Sequence, residues 1–216
     1  MHRVTSLISV PDLAARQSDE NLVILDASWY LPADGRNPGA EYLARHIPGA
    51  PFFALGAVSD ETRPSRHALR PGPVFAEQMG LLGIGADTEV VIYDTKGLFS
   101  APRAWWMFRV FGHRSVKVLN GGLPAWLAAD RSTTDAKSPV GVPANPFSTQ
   151  YCLEWVADKD DVAIHLAEDS ARVVDARSAS RFAGAEAEPR PGVRPGHMPG
   201  ARNVHYAKMT TGEPAV

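Results

Sequence analysis

The chain carries one short pattern twice, and this internal repeat constrains its fold more than any other feature. Residues 23–27 read Val-Ile-Leu-Asp-Ala and residues 46–50 read His-Ile-Pro-Gly-Ala. Residues 173–177 read Val-Val-Asp-Ala-Arg and residues 197–201 read His-Met-Pro-Gly-Ala. Corresponding residues lie about 150 positions apart in both pairs. A shared order at a shared spacing is typical of two copies of one domain.

Apolar runs alternate with helix-like segments through the first copy. The runs at residues 22–25 and 90–93 are short and wholly apolar, as in buried strands, and residues 116–119 predict a third strand. Helices are predicted between and after them, at residues 39–45, 74–82, 101–111 and 123–129. The alternation predicts the α/β class, with a parallel sheet flanked by helices on both faces.

The domain boundaries follow from composition and from the repeat. Residues 131–150 are rich in Ser, Thr, Pro and Gly and lack periodicity, which is typical of an interdomain linker. We therefore expect a first domain at residues 1–130, a linker at 131–150 and a second domain at 151–216. The repeat spacing extends the second copy about 45 residues past Val216. The chain is thus expected to hold one complete domain and the first half of a second.

The composition of the chain limits the classes of molecule that it is expected to bind. The 216 residues are 44% hydrophobic and their formal net charge is −2, which argues against a surface for nucleic acid or anionic membrane. The N-terminus lacks a signal peptide's apolar region, and no apolar run approaches the roughly 18 residues of a membrane helix. With one cysteine, Cys152, and scattered histidines, we expect a cytoplasmic protein without disulfide, metal or cofactor.

A longer motif carries a family resemblance. Residues 94–113 read Asp-Thr-Lys-Gly-Leu-Phe-Ser-Ala-Pro-Arg-Ala-Trp-Trp-Met-Phe-Arg-Val-Phe-Gly-His and resemble the first domain of tandem-rhodanese sulfurtransferases. Shorter motifs continue the match at Leu-Asn-Gly-Gly (119–122), Trp126, Glu-Pro-Arg-Pro-Gly (188–192) and Gly-His-Met-Pro-Gly-Ala (196–201). The resemblance spans nearly the whole chain apart from residues 131–150. It implies two rhodanese-like domains.

The resemblance also implies an activity. Members of this family move sulfane sulfur from thiosulfate or 3-mercaptopyruvate to an active-site cysteine, and then to a thiol or to cyanide. The expected partners are therefore a small-molecule sulfur donor and a thiol acceptor. The cysteine lies in a loop between a central strand and a helix. There, backbone N–H groups and the positive end of the helix favour a thiolate, the nucleophilic form.

The loop in the first copy begins with Asp94, and a carboxylate cannot accept a sulfane sulfur. We therefore expect the first domain to be inactive, with Asp94 anchoring the turn before the helix. The equivalent loop of the second copy would lie about 30 residues beyond Val216. The chain is thus expected to lack the nucleophile and to be inactive alone. Cys152 precedes the first strand of the second copy and is not followed by a glycine-rich loop, so it is interpreted as an ordinary helix or linker residue.

Arg181 and Arg190 resemble the two substrate-binding arginines of mercaptopyruvate-type members. Two guanidinium groups can bind a small carboxylate through paired, charge-assisted hydrogen bonds. The resemblance implies that thiosulfate-preferring members often lack the second arginine, so Arg190 favours 3-mercaptopyruvate. The alternative is a pair of solvated loop arginines. Arg177 and Arg194 are interpreted as surface charges.

His67 matches a first-domain histidine that some members place near the active site. A Ser-His-Asp relay would use it, but Gly56 stands where the aspartate is expected, so a surface or interface histidine is the alternative. For the whole chain, the main alternative to a sulfurtransferase is a non-catalytic rhodanese-like binding or regulatory protein. A rhodanese-related phosphatase is a more distant alternative, since the sequence has no Cys-x5-Arg loop.

Overall fold

The computed structural model describes residues 6–60, 68–189 and 192–210. It divides into two compact units, the first ending at Trp155 and the second beginning at Val156. The strands are β1 (Leu7–Ile8), β2 (Leu22–Asp26), β3 (Ser59–Asp60), β4 (Ala68–Leu69), β5 (Glu89–Tyr93), β6 (Val116–Leu119), β7 (Val174–Asp175) and β8 (Arg202–Asn203). The α-helices are α1 (Val10–Arg16), α2 (Pro38–Ala44), α3 (Gly72–Leu81), α4 (Ala101–Val110), α5 (Gly122–Ala128), α6 (Lys159–Glu168) and α7 (Ala179–Phe182).

A four-stranded parallel sheet, in the order β1-β6-β5-β2, forms the centre of the first unit. Leu22 lies opposite Glu89 and Asp26 opposite Tyr93, so β2 and β5 are paired along their whole length. β3 and β4 form a separate antiparallel pair. The predicted strands and helices of the first copy are all present, with ends that differ by about two residues at most. The predicted α/β fold with a parallel sheet is confirmed.

Apolar side chains cover both faces of this sheet. On one face Phe75 packs edge-on against Phe108 and is stacked on Phe111, with ring centroids 5.5 and 4.4 Å apart. The other face is covered by a second cluster that includes Leu13 and Trp126. Because both faces are buried, β2 and β5 each contain a continuous run of four apolar residues rather than an alternating pattern.

The segment predicted to be a linker, residues 131–150, packs on the first unit. Phe147 is 6% exposed and belongs to the core cluster of Phe75 and Phe108. Thr134 exchanges two backbone hydrogen bonds of 2.9 Å with His46. The first unit therefore extends to Trp155 rather than ending at residue 130. A single buried aromatic side chain among many Ser, Thr and Pro residues gives no periodic signal, which explains the difference.

The second unit repeats the start of the first. Asp175 pairs with Asn203 in parallel, as Asp26 pairs with Phe52 in the first unit. Val174 is 54% exposed, whereas the equivalent Leu25 is fully buried. β5 covers the edge of β2 beside Leu25, and none of the described residues after Trp155 pairs with that edge of β7.

A histidine stacked on an aromatic ring recurs in both units. His46 stacks on Tyr42 at 4.1 Å, and its Nδ1 lies 2.8 Å from the Tyr42 carbonyl oxygen. His197 stacks on Phe182 at 3.7 Å, with Nδ1 2.7 Å from that carbonyl. The partners are 4 residues apart in the first copy and 15 in the second. The second copy therefore has 11 more residues at this point (15 − 4) and 9 fewer between its strand-ending aspartate and the aromatic residue (16 − 7), and residues 183–196 are called its inserted loop.

Glu89, at the start of β5, forms ion pairs with residues of α1 and β6, and its contribution to the stability of the first unit can be tested. Its carboxylate accepts hydrogen bonds from Arg16 at 2.9 and 2.8 Å and from Lys117 at 3.1 Å. The hydrogen bonds from Arg16, followed by those from Lys117, lower the Glu89 pKa to about 2. The folded pKa lies below the ordinary 4.5, so the stabilisation is present above pH 4.5 and is lost as the pH falls towards 2.

Glu89→Gln is expected to lower the unfolding free energy at pH 7 by about 1 kcal/mol, because solvent screens much of the pair's attraction. Unfolding in urea can be followed by tryptophan fluorescence, since all five tryptophans lie in the first unit. The difference between variant and parent should shrink below pH 4.5. The exposed Glu77→Gln is the control. A Glu89→Gln difference that stays constant down to pH 2 would contradict the assignment.

Candidate functional site

The loop between β5 and α4 is built around the carboxylate of Asp94. This side chain is 1% exposed. Its Oδ2 accepts hydrogen bonds of 2.8 Å from the backbone N–H groups of Phe99, Ser100 and Ala101, and its Oδ1 accepts one of 2.9 Å from Lys96 N–H. Convergent N–H groups at the start of a helix form an anion-binding site. In the first unit the chain's own carboxylate fills that site.

Glycines bring the loop after β6 against this anion site. Leu123 N–H donates to the Asp94 carbonyl oxygen at 2.9 Å. Gly122 has a φ of +55°, and a Cβ at this position would lie 2.3 Å from the same oxygen. Only a residue without a side chain allows this approach. The Asn-Gly-Gly turn is therefore a structural requirement of the Asp94 loop.

Charged and aromatic side chains close the outer side of the loop. The Tyr30 hydroxyl lies 2.5 Å from both Glu41 and Thr95. Burial, followed by the Glu41 carboxylate, raises the Tyr30 pKa to about 12, so the phenol stays protonated. The Lys96 ammonium donates to Asp34 at 2.6 Å. These contacts hold the loop in one arrangement.

Asp26 is a second buried carboxylate beside this loop, at the end of β2. It is fully buried, and its Oδ1 accepts a 2.9 Å hydrogen bond from Ser28 N–H. Its Oδ2 has no hydrogen-bond partner among the described residues. Burial is the main cause of a raised Asp26 pKa, and the nearby Asp94 charge adds to it. In the first copy, the aspartate at the end of the strand therefore has no cationic partner among the described residues, whereas the equivalent aspartate of the second copy has one.

In the second copy the equivalent acid, Asp175, binds Arg177. Arg177 Nη2 and Asp175 Oδ2 are 2.5 Å apart, and Arg177 Nε contacts both carboxylate oxygens at 3.0 and 3.1 Å. Arg177 also donates to Glu188 at 2.5 Å and to the Gly196 carbonyl oxygen at 2.7 Å. The interpretation of Arg177 as a surface charge is wrong, because the side chain connects the strand end to the inserted loop.

Arg181, one of the two predicted substrate arginines, lies on the same carboxylate. Its Nη2 donates to Glu188 Oε2 at 2.5 Å and its Nε to Oε1 at 3.4 Å. Glu188 is 6% exposed at its side chain, and Arg181 is 28% exposed. The hydrogen bond from Arg181, followed by the charge of Arg181 and the hydrogen bond from Arg177, lowers the Glu188 pKa. Arg181 is therefore held in place while part of it stays accessible to solvent.

Two predicted site residues, Arg190 and His67, lie outside the described residues. Gly56, where the relay aspartate was expected, accepts a 3.2 Å hydrogen bond from Ser59 N–H within a turn. The roles of Arg190 and His67 therefore stay predictions.

Cys152 lies in the first unit, just before a short 3-10 turn at Leu153–Trp155. Its N–H donates to the Val110 carbonyl oxygen at 2.8 Å, and its Sγ lies 3.5 Å from the Gln150 carbonyl oxygen. No described N–H group donates a hydrogen bond to the sulfur. This environment differs from the convergent N–H groups around Asp94, which would stabilise a thiolate.

Sequence reasoning missed Arg177 and Glu188 as members of the site. The usable signal was the Asp-Ala-Arg order at residues 175–177, because an arginine two residues after a strand-ending aspartate can fold back onto it. Among the described residues no group of three or more metal-binding side chains is present. In the same part of the chain, no helix has the length and apolar character needed to cross a bilayer.

Known proteins are similar to this chain in sequence and in fold. Residues 9–129 match the family model of the rhodanese-like domain. The rat 3-mercaptopyruvate sulfurtransferase is 44% identical over 203 residues, covering 93% of this chain and 68% of the rat protein. The enzyme of that name from Escherichia coli K12 is 41% identical over 198 residues, covering 91% of this chain and 70% of the other.

A solved structure agrees with these sequence relatives. The crystal structure of SseA from Escherichia coli, described as a 3-mercaptopyruvate sulfotransferase with a rhodanese fold, superposes with a TM-score of 0.85 at 38% identity. The match covers 96% of this chain and 77% of SseA. The matched family model, the sequence identity and the shared fold agree, and the chain belongs to the rhodanese-like sulfurtransferase family.

Proposed function

We propose that this chain is part of a sulfurtransferase that moves sulfane sulfur from 3-mercaptopyruvate, or less readily from thiosulfate, to a thiol or cyanide. The observation that carries the proposal is the loop between β5 and α4, whose N–H groups converge on one buried anion. In an active copy of this loop, the same donors would stabilise a cysteine thiolate and its persulfide. The names of the rat and Escherichia coli relatives support 3-mercaptopyruvate as the donor.

The proposed reaction has two steps through a persulfide. A cysteine thiolate attacks the sulfane sulfur, and the S–S bond of thiosulfate breaks to release sulfite. With 3-mercaptopyruvate the C–S bond breaks instead, and the proton of the donor thiol ends on the methyl group of pyruvate. An acceptor thiolate or cyanide then attacks the terminal sulfur and restores the thiolate. The N–H donors act in both steps because negative charge stays on sulfur.

We assign different roles to the two units. The first unit is non-catalytic because Asp94 fills its loop. The second unit is proposed to be an incomplete rhodanese domain that binds the donor through Arg181 and Arg190 and lacks a catalytic loop. His67 is kept as a possible accessory residue. The nucleophile is therefore proposed to come from outside residues 1–216, because Cys152 lacks the donors that such a thiolate needs.

The isolated chain of residues 1–216 is expected to form no thiocyanate from cyanide with either donor. Colorimetric thiocyanate detection against a control without protein would measure this, and the release of pyruvate would be measured in parallel. Cys152→Ser should give the same zero rate as the parent. Turnover above the control that is abolished by Cys152→Ser would overturn the assignment of the nucleophile.

A non-catalytic rhodanese-like binding protein is the competing candidate, and the filled Asp94 loop favours it for the first unit alone. The two candidates differ in the second unit, where only a sulfurtransferase needs Arg181 to bind donor anions. Arg181→Gln in the 216-residue chain is therefore expected to weaken the binding of pyruvate, the carboxylate product of 3-mercaptopyruvate. Unchanged binding would favour the non-catalytic candidate.

A further inference from the structure

Four charged side chains form a closed cluster in the second unit, and its members are Asp175, Arg177, Arg181 and Glu188. Glu188 lies at its centre, 2.5 Å from a nitrogen of each arginine. Its side chain is 6% exposed, against 26% for Arg177 and 28% for Arg181. A carboxylate held this closely between two guanidinium groups is well shielded from solvent and acts strongly on both.

The charges in this cluster cancel, since two carboxylates face two guanidinium groups. Glu188 occupies the Nε and Nη2 edge of Arg181. Nη1 of Arg181 makes no hydrogen bond to any described residue, so one edge of the guanidinium stays available to a ligand. A ligand that binds Nη1 of Arg181 therefore contacts a guanidinium group whose positive charge is already balanced by Glu188 at its Nε and Nη2 edge.

We propose that Glu188 is a specificity-determining residue that favours a monoanionic sulfur donor over a dianionic one. The inference rests on the proposed function, in which Arg181 binds the donor. 3-Mercaptopyruvate carries one carboxylate charge, whereas thiosulfate carries two negative charges. Each positive charge added to the site stabilises a dianion about twice as much as a monoanion, because Coulomb energy is proportional to the ligand's charge. Glu188 keeps that charge low.

The test is a pair of titrations of the 216-residue chain at pH 7 and constant ionic strength. Pyruvate is the monoanionic probe and thiosulfate the dianionic probe, and backbone amide shifts of residues 178–188 report binding by NMR. Glu188→Gln keeps the shape of the side chain and removes its charge. We expect this variant to shift the ratio of the two dissociation constants about tenfold in favour of thiosulfate.

Glu186→Gln is the matched control, because it removes the same charge from the same loop. Glu186 is exposed and bonds to the hydroxyls of Ser178 and Ser180 rather than to an arginine. Its substitution should change the ratio less than twofold, since solvent and salt screen an exposed charge. Asp175→Asn is a second test variant within the cluster, and it should shift the ratio in the direction of Glu188→Gln by a smaller factor.

The possible outcomes separate this inference from the proposed function. If Arg181→Gln leaves both dissociation constants unchanged, or if the parent chain binds neither probe, the proposed function loses its donor site. If Arg181→Gln weakens binding but Glu188→Gln weakens both probes equally, Glu188 has only a structural role and the inference is overturned. If the amide spectrum of Glu188→Gln is poorly dispersed, the variant has not folded. The ratio of the two dissociation constants measured for Asp175→Asn then tests the inference.

Discussion

Asp94→Ala is expected to lower the unfolding free energy of the first unit by about 3–5 kcal/mol. The substitution leaves four backbone N–H groups without their acceptor, and three of them, at residues 99–101, lie at or just before the start of α4. The site is 1% exposed, so solvent replaces the lost hydrogen bonds poorly. Urea unfolding followed by tryptophan fluorescence measures the change in this unit, because it holds every tryptophan.

Two further variants sharpen this measurement. Asp94→Asn keeps an acceptor oxygen and loses the charge, so it should cost about half as much as Asp94→Ala. Asp135→Ala removes an exposed aspartate from the same unit and should change the free energy by less than about 0.5 kcal/mol. A loss below about 1 kcal/mol for Asp94→Ala would show that the carboxylate does not hold the loop.

Gly122→Ala is expected to destabilise the first unit by about 3 kcal/mol or more. The backbone has a φ of +55°, and the added Cβ would lie 2.3 Å from the Asp94 carbonyl oxygen and 2.9 Å from Gly97 Cα. Both neighbours are backbone atoms, so relief requires the Asp94 loop to move. The same fluorescence-detected unfolding measures the effect.

Gly35→Ala is the matched control for backbone strain. Gly35 has a nearly equal φ of +61°, but no atom lies within 4 Å of its added Cβ. The control should therefore cost only about 1 kcal/mol, the strain of a left-handed alanine. Equal losses for the two variants would show that strain alone, and not contact with the Asp94 loop, requires glycine at position 122.

The sheet of the first unit could be predicted from sequence because its strands are buried on both faces. Residues 22–25 and 90–93 are unbroken apolar runs, and their structure follows from burial. The Asp94 loop could be placed for a different reason, since the repeat and the family motif fix its position. Its hydrogen bonds could not be predicted, because they depend on backbone geometry after Gly97.

Two features escaped prediction because they depend on single contacts rather than on a pattern. Residues 131–155 join the first unit through isolated contacts such as Phe147 in the core and the 2.8 Å bond from Trp106 Nε1 to the Trp155 carbonyl oxygen. The cluster around Glu188 joins side chains across the inserted loop, where neither helical nor strand periodicity applies. Arg177 in the second copy corresponds to Ser28 in the first. Comparing the two copies therefore could not predict the ion pair that Arg177 makes.

The late segment that packs on the first unit has a consequence for biosynthesis. β1, near the start of the chain, pairs with β6, and the aromatic cluster is completed only by Phe147. A growing polypeptide that ends before this point leaves Phe75 and Phe108 without one of their partners, so cooperative folding must wait for the segment to be made. Contacts between residues so far apart in the chain slow folding and prolong the exposure of apolar strands. A chain that ends at residue 130 is therefore expected to expose part of the aromatic cluster that Phe147 covers in the complete unit.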